Sequence, residues 1–341
     1  MAGEFQLRRE DYSLDPEQSA VSDSFRAYFE KSVGTALVRK AEPLGFDQAL
    51  WNGLRERELI AMALPTDVGG DGAGFVELAL VAEEAGRHAA PAPIVEAVVA
   101  ARALARLQPS GQLLSSIRGE GVIATIAPGL GDRRLVPAGA VAEAVLARRG
   151  DDTVLITGPP PPLAANLGCA PLAWWDLTDG TVIGTADDFD QVEREWHLLT
   201  AAACVGLGQA AVDAGVRYAK ERSAFGTPIG AFQAIAHPLV DASNGIDSAR
   251  RLVWRAAWFC DHEPHAVGAL AVSALLAAGR AAEAAGAAAI HTQGGFGFTL
   301  ESDAQLFYRR AKGWALVAGD RRALLRQVAE LTWQTERAVA G

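Results

Sequence analysis

The stretch with the most chemical content is Gly294-Gly295-Phe296-Gly297-Phe298-Thr299-Leu300-Glu301-Ser302-Asp303-Ala304-Gln305. Glycines 294, 295 and 297 leave bare backbone that can approach a ligand closely and reach positive φ. Ser302 and Gln305 have capping-box spacing, which predicts a helix beginning just after Glu301. The Glu301 carboxylate then stands at the mouth of a glycine turn, beside a helix N-terminus. The helix dipole favours its ionised form, and burial against an apolar ligand would raise its pKa. A base on a mostly apolar wall is what removal of a weakly acidic C–H proton requires. These residues alone fit a surface glutamate ahead of an ordinary helix at least as well.

Other chemistries have less support. Neither G-x-G-x-x-G nor G-x-x-x-x-G-K-[ST] occurs, and Gly69-Gly70-Asp71-Gly72-Ala73-Gly74 reads as a turn with no buried strand before it. No G-x-S-x-G elbow and no H-E-x-x-H is present. Asp261-His262-Glu263-Pro264-His265 sits in a proline-broken connection and reads as a solvated loop, so no metal site is expected. Cys169, Cys204 and Cys260 are scattered, which argues for a reducing compartment and against a disulfide framework.

The elements that must position Glu301 follow from composition and periodicity. With 341 residues, half of them hydrophobic and 21% charged, the chain can bury a core over two or three domains. A formal net charge of −10 disfavours nucleic acid as a partner. The apolar run Ala266 to Gly279 is shorter than the roughly 20 residues of a membrane span, and MAGEFQLRRE shows no secretory signal. The expectation is a soluble, cytoplasmic protein.

Three zones differ in texture. Residues 1–115 are helical: Asp15-Pro16-Glu17 starts one segment, Val76 to Gly86 reads as another, and Ile94 to Leu107 as a third. Residues 116–196 carry short β-rich pieces, Val122 to Ile126, Thr153 to Thr157 and Thr181 to Thr185, around a Pro159 to Pro162 run that no central strand admits. Residues 197–341 are Ala-rich and helical from about Leu198. Ile235, Leu239, Ala242, Ile246, Ala249 and Val253 form one apolar stripe there, with Pro238 inside it as a predicted kink. The fold class is mainly α with a central β domain, ending in a tight helical bundle.

Along most of its length the chain resembles the acyl-CoA dehydrogenase family. Leu64-Pro65 through Gly74, continuing to Glu83-Glu84-Ala85-Gly86-Arg87, is similar to the family's P-x-x-x-G-G-x-G and E-E-x-G-R segments. Arg222-Ser-Ala-Phe-Gly-Thr-Pro-Ile-Gly-Ala-Phe-Gln233 is similar to its R-x-x-F-G-x-P-I-x-x-F-Q, and the glycine turn with Glu301 to its G-G-x-G-x-x-x-E. The resemblance implies a helical N-terminal domain, a middle β domain and a C-terminal four-helix bundle. It also implies FAD-dependent α,β-dehydrogenation of an acyl-CoA thioester. Glu301 takes the place of the base, and a hydride goes to flavin N5. The thioester oxygen is held by the base's backbone N–H and a flavin ribityl hydroxyl. By the same resemblance, Arg222, Phe225, Gly226 and Gln233 hold FAD, commonly across a subunit interface. Gly294, Gly295 and Gly297 lie along its phosphates and adenosine end, with Gln293 directly before them. Trp254, Trp258 and Trp314 are candidate pocket walls, although core packing also accounts for each.

The departures fall in the middle zone. Where the family carries T-E-P…G-S-D against the isoalloxazine and thioester, this chain has Ala124-Thr-Ile-Ala-Pro-Gly-Leu-Gly-Asp132. It lacks a clear W-x-[ST] counterpart, has His291 for a usual Gln, and replaces the Thr of E-G-T by Asp320. A kept base with an eroded flavin platform resembles the short chains of bacterial α2β2 acyl-CoA dehydrogenases that act on steroid-derived or other bulky thioesters. The expected partners are therefore acyl-CoA, a copy of this chain or a paralogous one, and an electron acceptor that the sequence does not identify. The competing readings are a non-catalytic partner of a sister chain and a flavin monooxygenase on the same fold.

Overall fold

The computed structural model describes residues 13–108 and 110–340, with side chains through Trp333. Helix α1 (Pro16–Ser32) starts at the predicted signal. Asp15 and Gln18 close a reciprocal capping box, at 2.8 and 3.1 Å, and Pro16 opens the first turn. The short helices α2 (Thr35–Lys40), α3 (Gln48–Glu56) and α4 (Leu59–Ala63) follow. Next come the glycine turn and helices α5 (Phe75–Arg87), α6 (Ile94–Leu107) and α7 (Gln112–Gly119). The bounds of α6 are those its apolar spacing predicts. The Gly69–Gly74 segment is indeed a turn, closed by Arg118 donating to the carbonyls of Val68 and Gly69 at 2.7 and 2.8 Å.

The middle zone holds β1 (Ala124–Ala127), β2 (Arg133–Val136), β3 (Ala144–Arg149), β4 (Asp152–Thr157), β5 (Ala173–Asp176) and β6 (Thr181–Thr185). Strands β1-β3-β4-β6 form one sheet in that order, with β1 and β3 parallel and the other pairs antiparallel. Strands β2 and β5 make a separate antiparallel pair. Pro159 to Pro162 lie outside the strands, as their missing amide protons require. A small core of Val136, Val145, Val154, Trp175 and Leu177 holds the two layers together.

Helix α8 (Ala186–Glu221) begins twelve residues before the predicted Leu198. Its first turns are rich in acids, which read as loop by texture. Those acids suit the positive end of a helix, and Thr185 caps it with Asp188. Helices α9 (Gln233–His262), α10 (Gly268–Gln293) and α11 (Asp303–Leu316) pack with α8 as a four-helix bundle, and α12 (Arg321–Ala340) lies against α10. The α9 stripe from Leu239 through Val253 is buried, and the helix continues through Pro238. Helices α8 and α10 are apolar and long enough to cross a bilayer by composition alone. Here they are core helices of the bundle.

The N-terminal domain meets the bundle backbone against backbone. A Cβ on Gly206 of α8 would overlap the Glu83 carbonyl oxygen, and one on Gly86 of α5 the Ala203 carbonyl oxygen. Ion pairs surround this crossing: Glu83–Arg250 at 2.7 Å, Glu84–Arg26 at 2.9 Å and Arg87–Asp213 at 2.7 Å. Glu83 and Arg87 of the E-E-x-G-R segment thus join the domains, while Glu84 ties α5 to α1.

Candidate functional site

The glycine turn is built by the ends of two helices. Helix α10 stops at Gln293 because Gly294 takes φ +61°, a conformation that favours glycine. Ser302 caps α11, as predicted, accepting from Ala304 N–H at 3.1 Å. The Gln305 side chain donates to the Ser302 carbonyl at 3.3 Å and does not accept from the Ser302 N–H, which donates to the Thr299 carbonyl instead. The Ser302 hydroxyl also donates to Gln293 Oε1 at 2.6 Å. Gln293 is therefore occupied inside the turn. Gly297 has a packing reason of its own to be glycine. It is buried, and a Cβ there would come within 2.7 Å of the Ile290 carbonyl oxygen, so its missing side chain lets the turn fold onto α10. Gly294 and Gly295 have nothing within 4 Å of an added Cβ and face outward.

Glu301 is exposed. The Thr299 hydroxyl and its own backbone N–H hold its carboxyl below the usual carboxylate range. Of the two opposing influences expected, the one that favours charge prevails in the chain by itself. The backbone N–H that the resemblance assigns to a thioester oxygen faces the residue's own carboxylate. Arg39 clamps the turn from α2, donating to the carbonyls of Leu300 and Glu301 at 3.1 and 3.3 Å and pairing with Asp303 at 2.7 Å.

A second surface lies beside the turn. Residues β7 (Ser223–Ala224) and β8 (Thr227–Pro228) form a hairpin after α8, and Phe225 and Gly226 at its tip have φ of +54° and +82°. Positive φ at both central residues is the geometry that matches strand twist in a two-residue hairpin. Phe225 is 97% exposed and meets Phe232 edge-on at 6.1 Å. Arg222 and Gln233, at the two ends of the segment, are also exposed. Tyr218 of α8 stacks on Phe296 at 6.4 Å, which joins the hairpin's root to the glycine turn. Six of the eight predicted cofactor residues (Arg222, Phe225, Gly226, Gln233, Gly294 and Gly295) thus lie on the surface around the end of α8.

The loop after β1 is exposed, with Leu130 74% exposed, but polar side chains in the strands on either side of it are engaged within the chain. The Thr125 hydroxyl is buried and donates to the Pro137 carbonyl at 2.6 Å. The buried Arg134 guanidinium donates to the carbonyls of Ala127, Gly129, Gly131 and Arg148. Both side chains are thus spent on backbone carbonyls of the middle zone.

The enclosed space lies elsewhere. A cavity of about 100 Å³ opens between α6, α8 and α11, walled by Ile94, Pro137, Trp196, Trp314 and Val317. Of the three tryptophans singled out, Trp314 is a wall; Trp258 stacks on His262 at 4.3 Å. Glu301 is not among the lining residues, whereas Glu96 is. Burial pushes the Glu96 carboxyl up, against smaller opposing effects of its own N–H and of Trp196 Nε1 at 3.4 Å. Sequence reasoning missed Glu96. The signal was a lone acid in the apolar run of α6. Among the described residues no three metal-binding side chains converge.

Comparison with known proteins agrees with this architecture. Residues 15–108 match the acyl-CoA dehydrogenase N-terminal domain and residues 195–332 the acyl-CoA dehydrogenase C-terminal domain. Acyl-CoA dehydrogenase IpdE2 of Mycolicibacterium smegmatis is 30% identical, over 92% of this chain and 98% of that protein. A chain of the ChsE4–ChsE5 complex from Mycobacterium tuberculosis superposes with a TM-score of 0.85 at 23% identity, covering 94% of this chain and 98% of the other. A chain of the Tcur3481–Tcur3483 steroid ACAD does so with 0.84 at 23%, covering 94% and 99%. With both terminal domains matched in order, the chain belongs to the acyl-CoA dehydrogenase family of flavoprotein oxidoreductases.

Proposed function

We propose that this chain is one subunit of an FAD-dependent acyl-CoA dehydrogenase assembly, and that its FAD face becomes whole only against another subunit. The observation that carries the reading is the outward presentation of Phe225 and Gly226 on a rigid hairpin, with Gly294 and Gly295 beside them and no atoms of the same chain opposite. Bare backbone for close approach, the Arg222 cation for phosphate and an exposed ring for stacking fit one side of a flat, anionic dinucleotide. On the middle-domain side Thr125 and Arg134 are spent on backbone carbonyls, and the remaining contacts would come from a partner. The ChsE4–ChsE5 complex, a relative in fold, contains two unlike chains, which makes a paralogous partner the preferred one.

Bound FAD supplies the hydride acceptor. The cavity between α6, α8 and α11, at about 100 Å³, would admit no more than the tip of the acyl group. The relative described as a steroid ACAD supports a bulky acyl group. Placed in water and held in its ionised form, Glu301 is a weak base in its own chain. It serves as the proton acceptor only if a partner covers it. The geometry favours the reading in which this chain completes the site and the base comes from elsewhere in the assembly.

Purification of the chain alone and with a co-produced paralogue tests the proposal. Flavin absorbance and turnover are expected only in the complex. Stoichiometric FAD with robust turnover in the chain alone would overturn it.

A further inference from the structure

The three cysteines stand in unlike surroundings. Cys204 and Cys260 lie inside helices α8 and α9, and burial pushes both thiols up, Cys204 to about 12. Cys169 lies in the loop before β5, and Leu167 in the same loop is 82% exposed, so the loop tip borders solvent. Among the described residues, Cys169 is the cysteine whose sulfur accepts a hydrogen bond from a cation, Arg309 Nη1 at 3.2 Å. Arg309 and Arg310 share the single carboxylate of Glu42, at 2.8 and 3.0 Å, which leaves one positive charge in excess beside the sulfur. A cation at this distance stabilises negative charge on sulfur, the form that attacks an electrophile.

Cys169, Arg310 and Thr200 all line the cavity between α6, α8 and α11. Thr200 is 6% exposed and its hydroxyl has no hydrogen-bond partner. Buried polar groups in native structures are almost always paired, so this hydroxyl marks a missing ligand. At about 100 Å³ the space holds a few water-sized molecules and no large solute. A sulfur, a guanidinium and an idle hydroxyl thus border a space sized for a small polar molecule.

We propose that Cys169 is a site of oxidation by hydrogen peroxide, which enters the cavity and hydrogen-bonds to Thr200. The proposal goes beyond the dehydrogenase reading and does not depend on it. The sulfur attacks one peroxide oxygen, and an S–O bond forms as the O–O bond breaks. Sulfur is oxidised to a sulfenic acid while the peroxide is reduced. The proton that leaves the thiol ends on the departing hydroxide, giving water.

The test exposes the full chain to hydrogen peroxide, traps sulfenic acid with dimedone and quantifies the label at each cysteine by peptide mass spectrometry. Cys169 is expected to label at least about tenfold faster than Cys204 or Cys260. Arg309→Gln should slow that labelling several-fold. Cumene hydroperoxide, too bulky for the cavity, should react at Cys169 about tenfold more slowly than hydrogen peroxide. Thr200→Val should slow the peroxide reaction and leave alkylation of Cys169 by iodoacetamide unchanged. Slowing of both reagents alike, or of neither, would remove Thr200 and its cavity from the reaction and overturn the proposal. Equal labelling of the three cysteines, or no sulfenic acid at Cys169 in the folded wild type, overturns it as well.

Discussion

Arg39, from the N-terminal domain, and Asp303, in the first turn of α11, form an ion pair of 2.7 Å that pins the glycine turn from outside. The same guanidinium donates to the Leu300 and Glu301 carbonyls, so a single side chain holds both the turn and the helix start. Both partners are partly exposed, which limits the energy of the pair. Arg39→Ala is expected to lower global stability by about 1 kcal/mol or less. The local effect should be larger. Amide hydrogen exchange over residues 299–303 should accelerate several-fold while α8 stays protected, as read by mass spectrometry.

Glu301→Gln measures how much chemistry rests on the exposed carboxylate. In an assembled, FAD-loaded complex the expected change in turnover is less than about threefold, because an exposed group makes little difference to the barrier. A loss of several orders of magnitude would show that a partner covers Glu301 and uses it as the base.

The crossing of α5 and α8 leaves no room for a side chain at Gly206. Gly206→Ala would push a methyl into the Glu83 carbonyl, between two packed backbones. The expected cost is about 3 kcal/mol or more, at the upper end for overpacked cores, visible in denaturant unfolding. Gly119→Ala, in a helix where an added Cβ meets nothing within 4 Å, is the control and should be neutral or slightly stabilising.

Phe225→Ser removes an exposed ring and no interior contact. The isolated chain should keep its melting temperature and gain solubility. Its association with the partner and its flavin absorbance should both fall, measured by size-exclusion chromatography with in-line spectra.

Acid should loosen the junction between α11 and the N-terminal domain. Burial pushes the Glu42 carboxyl up, but Arg310 and Arg309, at 3.0 and 2.8 Å, outweigh it and hold the group below its ordinary range. A carboxylate whose folded pKa is depressed adds stability above its unfolded pKa and loses it as the pH falls through the folded value. Thermal stability should therefore decline from about pH 5 downward, and Glu42→Gln should flatten that limb while lowering the neutral plateau.

Local chemistry made the helix starts legible. Asp15 with Gln18, and Ser302 after Glu301, are capping signals that depend on neighbours within one turn, and both stand where they were expected. The start of α8 was hidden because its Asp187 and Asp188 look like loop residues until the helix dipole is considered. The site was less legible, since its residues are defined by what lies across from them. Gly297 and Gly294 look alike in sequence, but one is pressed against Ile290 and the other is open. That the Thr125 hydroxyl is spent on the Pro137 carbonyl is likewise a contact no local signal shows. Glu96 becomes conspicuous only once Trp196, a hundred residues later, encloses it.

The bare ring at the hairpin tip carries a biological cost. A newly made copy of this chain displays Phe225 to solvent until the proposed partner docks on it, and such patches attract chaperones, proteases and other unfolded chains. Balanced synthesis with its mate would then set how much of the protein survives. Expressed alone, it should accumulate in aggregates, and supplying the second chain should rescue its yield before any turnover is assayed.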